Sequence, residues 1–171
     1  MKFPAVNPDR MHAAIMLGAL LLLGAGTAVA LAQESSGAHE YSADGETTIE
    51  TVNGLRIITL RDNVTVHQND VELKGDQAIL EYNLDNQLQT VRLTGSPASF
   101  QQLADGTAEP LTGSSETINY YAGGESVVEF IGSANFNQTG TALQCAQIRH
   151  VIESGATSGQ ACSGSLSPQA N

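Results

Sequence analysis

Leu93-Thr94-Gly95-Ser96-Pro97-Ala98-Ser99-Phe100-Gln101-Gln102 reads as an apolar strand end, a Gly/Pro break, and a short alternating strand closing on glutamine. Two other stretches share that layout. They are Leu60-Arg61-Asp62-Asn63-Val64-Thr65-Val66-His67-Gln68 and Ile131-Gly132-Ser133-Ala134-Asn135-Phe136-Asn137-Gln138. After each of the first two comes a strand ending in Leu-x-Gly, at Leu73-Lys74-Gly75 and Leu111-Thr112-Gly113, which leads into a strand bearing Tyr82 or Tyr120. The unit recurs every 33 to 38 residues, counted from Leu60 to Leu93 and from Leu93 to Ile131. A unit of a few short strands cannot bury its own apolar face, but stacked units can.

Outward from these repeats, the same period-two pattern fills the chain. Val71 and Leu73, Ala78 and Leu80, Ile118 and Tyr120, Val128 and Phe130, and Leu143 and Cys145 each share a parity. No apolar spacing of three and four persists over a dozen residues, so the sequence carries hardly any helical signal. Asn53-Gly54, Asp105-Gly106 and Gly123-Gly124 suit hairpin turns that need positive φ. Asn69-Asp70, Gly75-Asp76 and Asp85-Asn86 are softer turn signals. The expectation is an all-β sandwich, barrel or jellyroll of about a dozen strands, most roughly five to eight residues long. Leu55–Leu60 and Ile148–Ile152 are expected near its two edges, where unpaired backbone groups invite strand addition.

The flanks differ from this body. Lys2 and Arg10 precede an apolar run from Ala13 to Ala32, and Ala30 and Ala32 form a small-x-small box. That predicts a signal peptide over 1–32, with a retained membrane anchor as the alternative. Residues 33–45 and 156–171 are small and polar and are expected as a flexible leader and a tail around a domain at 46–155. The chain carries 18 acidic against 7 basic side chains, a net charge of −11, which argues against binding nucleic acid or docking on an anionic membrane surface. Cys145 and Cys162 are the two cysteines; in an exported protein they most simply pair, with two free thiols as the alternative.

Catalytic patterns are poor. His39, His67 and His150 lack metal-ligand spacing, and neither a nucleophile elbow nor a phosphate loop is present. Lys74, Arg56 and Arg61 are basic side chains that could meet phosphates, although solvated surface positions explain them better. The sequence therefore predicts no enzyme, no cofactor and no metal.

The three repeats, taken in order behind a signal peptide, resemble the OstA-like (LptA) domain family, over about Thr47 to Glu153. The chain departs from the family pattern in having Asp62-Asn63 where Gly-Asn is usual, and in its cysteine pair. The resemblance implies a β-jellyroll of antiparallel strands with an apolar groove that carries lipopolysaccharide across the periplasm. It implies partners too: the lipid A acyl chains of lipopolysaccharide, an LptC-type inner-membrane protein, an LptD-type outer-membrane barrel, and further copies stacked end to end. On this reading the groove is lined by Val64, Val66, Val71, Leu73, Leu80, Val91, Leu93, Phe100, Ile118, Tyr120, Val128, Phe130, Phe136 and Leu143. A bond between Cys145 and Cys162 would fold the tail over the C-terminal edge and obstruct stacking there. Competing readings are an LptC-like jellyroll that keeps 13–32 as an anchor, a structural β-module with a closed core, and a β-solenoid enzyme acting on polysaccharide.

Overall fold

The computed structural model describes residues 39–103 and 110–167. The expected signal peptide and the Asp105-Gly106 turn lie outside them. Ten strands make one antiparallel sheet: β1 (His39–Ser42), β2 (Thr47–Val52), β3 (Leu55–Gln68), β4 (Val71–Tyr82), β5 (Leu88–Gln102), β6 (Leu111–Tyr121), β7 (Val127–Gln138), β8 (Thr141–Val151), β9 (Thr157–Gln160) and β10 (Ser163–Leu166). β3 through β8 follow one another as a meander. β1 and β2 both pair with β3, on the half of it nearer Gln68 and nearer Leu55 respectively. β9 and β10 divide β8 in the same way.

Each central strand is bent near its middle, and the bends line up across the sheet. In β3 the pairing with β4 steps from Arg61↔Gln77 to Val64↔Gly75, so β3 carries one extra residue. In β5 it steps from Thr94↔Thr117 to Ala98↔Ser115 against β6, two extra residues. In β7 it steps from Ile131↔Gln147 to Ala134↔Cys145 against β8, again one extra. Such bulges kink a strand and raise its local twist. The bulged segments are Asp62-Asn63, Gly95-Ser96-Pro97 and Gly132-Ser133, the three breaks of the sequence repeat. Asp62, Asn63, Gly132 and Ser133 all have positive φ, which Gly tolerates freely and Asn and Asp tolerate better than most residues.

The sequence reading is corrected first at these breaks. These breaks were expected to be turns that end short strands, but they bend strands that continue, so the six central strands run to 11–15 residues. Gly75-Asp76 likewise sits within β4. Asn53-Gly54 is a true hairpin turn, with φ of 51° and 80°.

The edge strands obey the same plan. β1 and β2 amount to one bent strand broken at 43–46, where Asp44 and Gly45 donate backbone hydrogen bonds to the carbonyls of Asp62 and Arg61. β9 and β10 amount to another, broken at Ala161-Cys162. The described residues thus form eight bent strands side by side. Leu55–Leu60 and Ile148–Ile152 were expected at the edges. Instead β2 flanks the former and β9 the latter, and among the described residues the outermost strands are β1–β2 and β9–β10. β1 falls in the stretch expected as a leader, and β9 and β10 fall in the expected tail.

The bend line divides the sheet into two halves. One holds β2, β9 and the segments around Leu60, Leu80, Leu93, Ile118, Phe130 and Ile148. The other holds β1, β10 and the segments around Val66, Leu73, Phe100, Gly113, Phe136 and Cys145. Both turn their apolar parity inward onto a single core. The fold is the antiparallel all-β jellyroll that the sequence led us to expect, built as a sheet folded on itself.

Candidate functional site

The apolar layer between the halves is where the sequence placed its groove. Val64, Val66, Val71, Leu73, Leu80, Val91, Leu93, Phe100, Ile118, Tyr120, Val128, Phe130 and Phe136 all point into it and are buried, and Leu143 is half-buried beside it. Period two brings them together: each strand sends alternate side chains to one face, and inward alternation resumes beyond the bend, in the same parity in β3 and β7 and in the opposite parity in β4, β5, β6 and β8. In β5, Leu93 points in before the bulge, and Ala98 and Phe100 point in after it.

Aromatic rings join the halves. Phe130 meets Phe100 edge to face with centroids 5.7 Å apart, and Phe136 at 6.2 Å. Such contacts contribute about 0.5–1.5 kcal/mol each beyond the area they bury. Phe130 fits because the position it covers across the layer is Gly113, where any β-carbon would collide with the ring. At the C-terminal side Phe136 lies 5.1 Å from the ring of His150, and at the N-terminal side His39 meets Tyr82 at 6.0 Å.

Backbone closes the layer along the bend, and on the opposite side the hairpin turns of both halves form two rims. Turns 52–55, 82–88, 121–127 and 151–157 make one rim, and 68–71 and 138–141 belong to the other. Side chains nearest the bend, such as Leu60, Leu93, Ile118 and Phe130, are sealed from solvent, whereas Tyr82, Leu111, Val127 and Val151 at the rims retain some exposure. Ser126 and Glu153 fasten two turns of the first rim, the Ser126 amide donating to both carboxylate oxygens at 2.8 Å. Partial burial raises the Glu153 pKa, but hydrogen bonds from Ser126 and from its own backbone together hold the group below its ordinary value. Burial pushes the Tyr120 phenol up, and a hydrogen bond with Ser126 only partly relieves this.

The two ends of the layer differ. At the N-terminal end Tyr41 pairs with Val66 and Ile49 with Ile58, so both share the inward face, yet Ile49 is 60% exposed. At the C-terminal end Cys145 and Cys162 form a disulfide at the bend. The inward positions of β9 and β10 there are Thr157, Gly159, Gly164 and Leu166, as their pairing with β8 shows.

Sequence reading missed several members of the layer. His150 was set aside as a scattered histidine but is 1% exposed, with Nδ1 2.8 Å from Thr157 Oγ1. Burial lowers its pKa. Its parity with Ile148 was the available signal. Leu60, Leu88, Leu111 and Ile148 also belong to the core. Ile131, quoted as the apolar start of the third repeat, faces outward; the residue equivalent to Leu60 and Leu93 is Phe130. Of the basic side chains singled out, Lys74 pairs on the surface with Glu72 at 2.6 Å, and His67 lies 3.4 Å from the same carboxylate group. Among the described residues no three His, Cys, Asp or Glu side chains gather as a metal set.

The profile described as LptA/(LptD N-terminal domain) LPS transport protein matches residues 42–156. The fold is similar to the crystal structure of LptH from Pseudomonas aeruginosa, described as the LptA homologous periplasmic component of the lipopolysaccharide transport device. The two align with a TM-score of 0.65 at 19% sequence identity, covering 77% of this chain and 96% of that one. Among curated proteins the sequence finds no match.

Proposed function

This chain belongs to the LptA/(LptD N-terminal domain) family of LPS transport proteins, and from that premise we propose that it shelters the acyl chains of lipopolysaccharide between the halves of its folded sheet. It does so in the periplasm, after removal of residues 1–32, and passes the lipid from the inner to the outer membrane. Its neighbours in that path are an LptC-type protein on the inner-membrane side, an LptD-type barrel on the outer-membrane side, and further copies stacked end to end.

The observation that carries this reading is the apolar layer itself. It spans the sheet from β3 to β8, and backbone connects its walls only along the bend. Exposing an acyl chain to water costs about 0.8 kcal/mol per CH₂, on the order of 10 kcal/mol for roughly a dozen carbons. The layer supplies that shelter without any catalytic group. It is closed in the structure, so entry requires the rims to part. What holds them is chiefly side-chain packing, which an acyl chain can replace with contacts of the same kind. The bulges interrupt the hydrogen-bond ladder along the bend line, and that is where a hinge costs least.

Photocrosslinking in cells tests it. A photoreactive residue at Phe100, Ile118 or Phe136 is expected to capture lipopolysaccharide. Folded protein that captures none at all three positions would leave the layer as an ordinary core and favour a structural β-module.

A further inference from the structure

Beyond backbone pairing and the contact of Thr157 with His150, β9 and β10 have little of their own to hold them on β8. All eight of their residues are exposed, the sequence is Thr157-Ser158-Gly159-Gln160 and Ser163-Gly164-Ser165-Leu166, and the one large apolar side chain, Leu166, is 81% exposed. Two four-residue edge segments with no buried apolar surface are marginal on hydrogen bonds alone. The Cys145–Cys162 bond joins them to β8 at the middle of the bent strand, between the two segments. The neighbouring backbone is fitted to it. Gly159 lies against both sulfur atoms, and a β-carbon there would collide with them.

Strand direction gives that attachment a consequence. β1–β2 runs from the half containing Val66 to the half containing Leu60, and so does β8, whereas β9–β10 runs the opposite way. In a head-to-tail stack with like halves aligned, the next copy's β1–β2 meets β9–β10 antiparallel, continuing the pattern of the whole sheet. Were β9–β10 to leave, the same β1–β2 would meet β8 parallel. Parallel pairing is slightly weaker per residue and has a different hydrogen-bond spacing.

We propose that the Cys145–Cys162 disulfide anchors the docking strand of the molecule: it keeps β9–β10 in place and so gives the C-terminal edge the direction that a second copy's β1–β2 requires. This rests on the end-to-end stacking put forward above. The bond supports stacking instead of obstructing it. Reduction by a dithiol, which closes to its own disulfide and leaves Cys145 and Cys162 as thiols, releases the strand and withdraws the edge.

Two measurements on the full mature chain test this, comparing the oxidised protein, the protein in dithiothreitol and Cys162→Ser. One is hydrogen exchange by residue, and the other is sedimentation over a range of concentrations. In both forms that lack the bond, amides of β8 that face β9–β10 are expected to lose about tenfold or more in protection, while β4 to β6 keep theirs. Self-association is expected to weaken by about tenfold or more alongside. Unchanged protection in β8 overturns the proposal, because the strand then holds without its anchor. Released β9–β10 with undiminished association overturns it as well, as does loss of protection throughout β4 to β6, which would make the bond a staple of the whole fold. An oxidised protein that stays monomeric at every concentration removes the stacking reading itself and the docking role with it. The exchange data would still report separately whether the bond anchors the strand.

Discussion

Gly113 and Phe130 show how closely one residue can depend on another across the layer. The ring occupies the space that a side chain at position 113 would need, so Gly113→Ala is expected to destabilise the protein by about 1–3 kcal/mol, the usual cost of overpacking. Thermal unfolding checks this. Phe130→Leu, which frees part of that space, should recover some of the loss when the two changes are combined, a coupling that a double-mutant cycle reads directly. His150 gives a second test. Its pKa is lowered in the folded state by burial, so between that value and the unfolded value of about 6.5 the unfolded chain binds more protons. Stability is therefore full above about pH 6.5 and is lost as pH falls below it. Denaturant unfolding across that window should show the slope, and His150→Phe should flatten it. His39, whose pKa is lowered for the same reason, leaves a residual slope. Alternation in the sequence identified most of the inward positions, because parity is local, but it passed over Leu60, Ile148 and His150. It could not reveal that Gly113 makes room for Phe130, since the two meet through the fold and not through the chain.

At the scale of the strand, the three bulges are the feature most easily misread. Asp62-Asn63, Gly95-Ser96-Pro97 and Gly132-Ser133 are built from the same residue types as hairpin turns, because both need positive φ or a break in the ladder. Composition locates such a site, but only pairing on both sides shows whether the strand turns back or continues. β9 and β10 were illegible for another reason: their residues are small and polar, with no apolar alternation to mark a strand, and β8 together with the disulfide imposes the conformation. The bulge reading has its own test. Asn63 has a φ of 49°; Asn63→Gly is expected to be tolerated, whereas Asn63→Val should cost about 1–3 kcal/mol, because a β-branched residue is strained there. Equal unfolding midpoints for the two variants would contradict the strained bend.

For the molecule as a whole, eight bent strands produce a folded sheet with one closed side, one rimmed side and two unlike ends. Membership in the family makes the protein one of lipopolysaccharide transport, and the structure offers one place where apolar cargo could be kept from water. The repeats made that layer visible in sequence, but not contacts such as Phe100 on Phe130, which join its halves through the fold. The most direct test is a parity scan along β6 in purified protein loaded with lipopolysaccharide, with a photoreactive residue placed in turn at positions 117 to 121. Ile118 and Tyr120 face the layer, while Thr117, Asn119 and Tyr121 face away. The account predicts lipid capture from 118 and 120 and little from the other three. Capture without regard to parity, or only from the outward positions, would contradict it.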